Sequence, residues 1–269
     1  MNQDISICVL TENEMGWTEP FELDKVQILD NYYLSAQKSD IAFLKKMDTA
    51  RLLAGFRTTA GIDTKGVRPY GGWEDSLLGG HCVGHYLTAL AQAVKVTGDK
   101  ELKEKSQTLI AGLEECQKKL GTGFLFGAKV EDKEDVEKQF DILEGKKKGE
   151  TWVPWYNMHK VLAGLVDTYK YTGNETALLV AEKLGDWIYE RVSKWDLKTN
   201  QKVLETEYGG MNDCLYELYS YSHNKHHLEA AQKFDEKALF LMAAKGEKNC
   251  LDGKHANCLL YTSPSPRDS

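Results

Sequence analysis

The 269-residue sequence has no uninterrupted apolar run near the ~20 residues that a membrane-spanning helix needs, so a membrane role is not expected. A basic excess is missing as well. Lys and Arg number 34 against 41 Asp and Glu, a net charge of −7. Nucleic-acid binding needs a concentrated basic face, and the short run Lys146-Lys147-Lys148 sits among acidic residues, as a solvated loop does. The six cysteines, Cys8, Cys82, Cys116, Cys214, Cys250 and Cys258, include no CxxC pair. That spacing argues against a disulfide framework and against a zinc knuckle. The N-terminus has no basic segment followed by a long apolar one, since Ile5 to Leu10 is too short, and a cytoplasmic setting is expected. The glycosylation triplet Asn174-Glu175-Thr176 carries little weight without a leader.

Apolar residues recur at three- and four-residue spacing along most of the chain, and the reading is nearly all helix. Helices are predicted from Phe21 to about Ser35, Ile41 to Phe56, His81 to Val96 and Lys100 to Leu120. After a glycine- and charge-rich loop with a short helix around Glu134 to Leu143, four more are predicted. They run from Asn157 to Tyr171, Thr176 to Trp195, Gly210 to Tyr221 and Lys225 to Ala244. Three connections share one design: Thr97-Gly98-Asp99, Thr172-Gly173-Asn174 and Ser222-His223-Asn224. In each, a residue tolerant of left-handed backbone ends one helix and an Asp or Asn caps the next. An apolar first helix and an amphipathic second one, repeated, describe an inner wall and an outer layer, that is, an α/α toroid.

Four segments carry the chemistry: Tyr70-Gly71-Gly72-Trp73-Glu74 with Gly80-His81-Cys82-Val83-Gly84-His85-Tyr86, Trp152-Val153-Pro154-Trp155-Tyr156-Asn157-Met158-His159-Lys160, Glu205-Thr206-Glu207-Tyr208-Gly209-Gly210-Met211-Asn212-Asp213, and Leu251-Asp252-Gly253-Lys254-His255-Ala256-Asn257. Each runs glycine and large aromatics into a histidine or carboxylate where a helix begins. Antiparallel hairpins place these starts at one end of the toroid and the capped turns at the other.

These segments, together with Arg51-Leu52-Leu53-Ala54-Gly55-Phe56-Arg57 and Gly164-Leu165-Val166-Asp167, resemble glycoside hydrolase family 127, the β-L-arabinofuranosidases, from about Phe21 to Asn257. The resemblance implies an all-α (α/α)6 toroid, incomplete at its C-terminus. It also implies hydrolysis of terminal β-L-arabinofuranosyl groups through a cysteine nucleophile held by zinc, with one glutamate and three cysteines as ligands. Those ligands, the nucleophile and the acid/base glutamate are expected beyond Asn257, so no catalytic or metal residue is assigned in this chain, and zinc is expected only in the full-length family member. The domain reading is an N-terminal extension over 1–20, a partial catalytic domain over 21–258, and a non-native tail over 259–269. That tail holds two of the five prolines and continues no helical pattern.

Sugar recognition is what the resemblance brings to these residues: His159, His255 and one of His81 and His85 match the family's sugar-contacting histidines. Trp73, Trp155 and Tyr156 are candidate stacking faces, and Glu74 and Asp213 candidate hydroxyl partners. His81 and His85 lie one helical turn apart, which is also metal-ligand spacing, but no third ligand is in view. A helix N-terminus disfavours an imidazolium, so neutral rings that both donate and accept are expected at both. His223, His226 and His227 fall in a hairpin turn and are expected to be solvated. A carbohydrate is the expected partner. Two alternatives remain: a non-catalytic toroid that binds glycan or protein, and a two-carboxylate glycosidase using Glu74 and Asp213 across the scissile bond.

Overall fold

A computed structural model describes residues 20–130, 132–206 and 210–247. Eleven α-helices lie among them, and no strand. In chain order they are α1 (Asn31–Lys46), α2 (Thr49–Thr59), α3 (His81–Thr97), α4 (Lys100–Leu120), α5 (Lys138–Leu143), α6 (Pro154–Thr172), α7 (Glu175–Val192), α8 (Leu197–Thr206), α9 (Met211–Ser222), α10 (Lys225–Lys233) and α11 (Lys237–Ala244). Three hairpins, α3/α4, α6/α7 and α9/α10, stand side by side. Their first helices touch one another and so do their second helices. This is the double-layered packing of an α/α toroid.

The hairpin turns form as their sequence dictates. Gly98, Gly173 and His223 take left-handed backbone at φ 67°, 68° and 53°. The Asp99 carboxylate then accepts from the Leu102 N–H, Asn174 Oδ1 from Ala177 N–H, and Asn224 Oδ1 from His226 N–H. Each cap satisfies a donor that a helix start otherwise leaves unpaired.

Helices α3 and α6 form the tightest pair in the fold. Their neighbours advance together, His81 beside Tyr156, Gly84 beside Lys160 and Thr88 beside Asp167, so the two run parallel. Gly84 permits the approach. A methyl group there overlaps the Lys160 carbonyl, and one on Gly164 presses on the Gly84 backbone. The helices thus meet main chain to main chain, which fixes their relative height.

Several boundaries differ from the sequence reading. Residues predicted to be helical from Phe21 form only a 3-10 turn, Leu23–Lys25, and α1 starts at Asn31, where Asp30 caps it through the Tyr32 N–H. The helix expected from Ile41 to Phe56 breaks at Met47–Asp48, because Asp48 caps a new helix through Ala50 N–H. α8 went unforeseen; Asp196 starts it by accepting from Thr199 N–H. The last predicted helix is interrupted at Phe234–Glu236. The loop after α4 is no surface excursion: Phe124, Leu125 and Phe126 are buried, and Gln117 Nε2 ties the Gly123 carbonyl to that of Val180. Arg191 of α7 pairs with Glu137, Asp141 and Glu144 and so locks α5 against the outer layer.

Two glycines separate close approach from backbone conformation. Gly84→Ala is expected to cost roughly 1–3 kcal/mol or more, as overpacking against unyielding backbone does. Gly98→Ala, with open space around it and only its left-handed φ to oppose it, is expected to cost about 1 kcal/mol. Urea unfolding midpoints measure both, and equal losses contradict the backbone contact.

Candidate functional site

The site begins at a helix end without a cap of its own. Gly80 occupies the N-cap of α3 at φ 95° and has no side chain to offer. Glu74, in the 3-10 turn Gly72–Asp75, takes over that role. Its Oε2 accepts from the Gly80 N–H at 2.9 Å, and its Oε1 from the Cys82 N–H at 3.2 Å. The same Oε1 lies 2.9 Å from His81 Nδ1, which also lies 2.8 Å from the Leu78 carbonyl. Two acceptors at Nδ1 assign the proton to that nitrogen. Nε2 is left facing Cys82 Sγ at 3.6 Å.

These contacts set the charges. Burial works to raise the Glu74 pKa, but hydrogen bonds from His81, Gly80 and Cys82 outweigh it and hold the carboxyl below its usual value. Burial works against a charged His81 in turn, but Cys82 and Glu74 prevail and push its pKa up to about 10. This reverses the expectation of a neutral ring there: a carboxylate in contact outweighs the dipole of the helix end. His85 behaves as expected. Desolvation, the Lys160 ammonium and the charge on His81 bring it down to about 4.

A row of rings leads away from His81. Trp73, which is 67 % exposed, has its centroid 6.3 Å from the imidazole, and His85 and Tyr156 each lie 6.1 Å from it. Tyr156 is 6.3 Å from His159, and Lys160 Nζ stands 4.8 Å over the Tyr156 ring. His159 is buried, its Nδ1 has no hydrogen-bond partner, and Gly210 at the start of α9 packs against its ring. Burial, then Lys160, then His85 drive its pKa down to about 3. The starts of α3, α6 and α9 therefore come together at one end, as the hairpin argument requires. Asn157 and Lys160 belong to the Trp152 segment but carry no assigned role in the sequence reading. Fully buried Asn157 donates from Nδ2 to the Gly79 carbonyl, fastening the Glu74 turn to α6.

Other assignments need correction. Trp155 offers no face to a ligand. It is 2 % exposed and packs among Phe140, Trp187, Trp195 and Phe234, because in α6 it points opposite to Tyr156. Glu74 is buried and both its oxygens already accept from the helix start or His81, so its first role is to cap α3 and orient the imidazole. Asp213, on α9, is exposed at its surface, yet the neighbouring protein desolvates its carboxyl, and that with the charge of Glu217 raises its pKa. His227 is buried, with Nδ1 at 2.7 Å from Ser222 Oγ, whereas His226 is exposed and stacks on Tyr189 at 4.1 Å. His255 and residues 207–209 lie outside the described residues.

Among the described residues, Glu74, His81 and Cys82 are the group whose donor atoms come together, all within 4.8 Å. Even all three together fall short of the four ligands of a structural zinc site. Cys116 is sealed in the core, where burial pushes its thiol up to about 12, and Cys214 donates to the Met211 carbonyl. The described residues do not fit a centre of one glutamate and three cysteines.

The sequence model of the β-L-arabinofuranosidase GH127 catalytic domain matches residues 25–259. The chain belongs to this family. Among solved structures, it is similar to a GH127 β-L-arabinofuranosidase from Geobacillus stearothermophilus T6, at 19% identity and TM-score 0.48, over 81% of this chain and 32% of that one. It is also similar to a GH127 β-arabinofuranosidase at 17% identity and TM-score 0.55, over 82% of this chain and 34% of that one. The second likeness supports the GH127 fold, and the chain spans about a third of either structure's length. No curated protein sequence matches the chain.

The two buried histidines make stability depend on pH in opposite senses. His159 titrates near 3 in the fold against 6.5 in the unfolded chain, so the unfolded state takes up the proton first as pH falls. Stability drains from about pH 6.5 down to about 3. His81, raised to about 10, stabilises fully below pH 6.5, and that contribution fades as pH climbs toward 10. In urea titrations, His159→Gln is expected to lose less stability than wild type between pH 6.5 and 4, and His81→Gln to lose less between pH 7 and 9. Parallel curves for wild type and both variants contradict these assignments.

Proposed function

We propose that the chain is the recognition part of a glycoside hydrolase that removes terminal β-L-arabinofuranosyl groups from glycans or glycoconjugates. One observation carries the reading: the row Trp73, His85, Tyr156 and His159 at the gathered helix starts, in a chain of the GH127 family. A furanose has little apolar surface, so stacking alone orients it poorly and hydrogen bonds must do the rest. Trp73 and Tyr156 supply faces. His85, held neutral, can donate from one ring nitrogen and accept at the other, which suits a hydroxyl. Buried His159 keeps an unpaired Nδ1, a group whose satisfaction by a ligand is favourable. Charged Lys160 helps to keep both rings neutral.

The reading assigns the reacting groups, a zinc-held cysteine and an acid/base glutamate, to parts of the protein outside the described residues. This chain alone is then expected to hydrolyse no arabinofuranoside at a useful rate, since an activated nucleophile carries much of the acceleration. A non-catalytic glycan-binding role is the second reading. It is favoured by Glu74 serving as the cap of α3 and the anchor of His81.

Release of L-arabinose from terminal β-L-arabinofuranosides by the full-length protein tests the proposal. His85→Ala and His159→Ala are each expected to lower kcat/KM by about one to two decades, the value of roughly 1–3 kcal/mol for a lost buried hydrogen bond. His226→Ala is expected to leave it unchanged. Absence of hydrolysis with retained glycan binding supports the second reading, and wild-type activity in all three variants shows the histidines to be packing groups.

A further inference from the structure

Glu74, His81 and Cys82 make a relay that sugar recognition does not explain. The carboxylate holds Nδ1 of the imidazole at 2.9 Å, and the opposite nitrogen faces the sulfur at 3.6 Å. Because Glu74 and the Leu78 carbonyl both accept at Nδ1, the lone pair of a neutral ring lies on Nε2, on the sulfur side. Cys82 is also the second residue of α3, where helix N–H groups favour negative charge. A thiol beside an imidazole, oriented by a carboxylate, at a helix start is the environment that creates nucleophilic cysteines. The other described cysteines lack it, since Cys116 and Cys214 are buried in the core. Cys82 is only half-buried.

We propose that Cys82 is a nucleophilic thiol, activated by His81 and Glu74, that forms mixed disulfides with small-molecule disulfides. His81, charged, already holds the proton on Nε2 and stabilises the Cys82 thiolate beside it, and the sulfur attacks one sulfur of the incoming disulfide. The disulfide's S–S bond breaks as the protein–ligand S–S bond forms. The departing thiolate leaves with the electron pair and is protonated by His81 or water. Cys82 is oxidised and half of the reagent is reduced, so no further oxidant is needed. The inference stands apart from the glycosidase reading, because it depends on no sugar.

The test treats the folded chain with dithiobis(nitrobenzoate) at several pH values and follows each cysteine by peptide mass spectrometry. An unassisted thiol reacts about tenfold faster per pH unit between 6 and 8, as its thiolate fraction grows. The modification rate of Cys82 is expected to change less than about threefold over that range. His81→Gln is expected to slow the pH 6 reaction about tenfold or more and to restore the steep climb, with Glu74→Gln intermediate. Should His81→Gln not fold, the wild-type profile and Glu74→Gln decide. A wild-type Cys82 rate that climbs about tenfold per pH unit, or a Cys82 left unmodified in the folded chain, overturns the proposal.

Discussion

The backbone contact between α3 and α6 governs the rest of the molecule. Where Gly84 lies against the Lys160 carbonyl and Gly164 against Gly84, no side chain can act as a spacer, and neither helix can slide past the other without a clash. Register along the pair is therefore set by main chain. That register brings His81 level with Tyr156, Thr88 to within 2.6 Å of Asp167, and Asn157 under the Gly79 carbonyl. A looser, leucine-spaced crossing keeps the toroid but tolerates shifts of an ångström, which is enough to spoil hydrogen bonding to a small ligand.

The electrostatic character of the site follows from one substitution of roles. A helix beginning at glycine lacks its own cap, and a carboxylate from a neighbouring turn supplies it. Cys82 and that carboxylate together then make His81 a cation. Desolvation first, then Lys160 and the His81 cation, keep His85 neutral, and burial with Lys160 and His85 keeps His159 so. Three histidines on one surface thus divide into one charged and two neutral rings, with Glu74 at the head of the chain of causes.

Much of this was legible in the sequence. Helix periodicity gave α3, α4 and α9 nearly to the residue and α6 and α7 except for a turn at one end, and the Asp or Asn after Gly98, Gly173 and His223 marked the turns, because local capping decides those ends. Asp48 and Asp30 obey the same rule but interrupt apolar patterns that read as continuous, so the period outvoted the cap. The gathering of Trp73, His81, Tyr156 and His159 followed from topology. What failed was the facing of individual side chains. Trp155 and Tyr156 are adjacent letters with equal claims to a ligand, and only the aromatic core around Phe140, Trp187 and Phe234 settles that the tryptophan turns inward. Lys160 closes the Trp152 segment without an assigned role; its part lies in a distance to Tyr156 that spacing cannot express.

The capped turns at Gly98, Gly173 and His223 lie at the opposite end of the hairpins from the aromatic row. Each is held by its own cap and does not depend on contacts with the other end. Gly98 and Gly173 have open space where a side chain would sit. That end is accordingly a natural point of attachment. A fluorophore, a surface tether or a grafted domain placed there leaves the opposite face presented to solvent, with the toroid itself as the spacer.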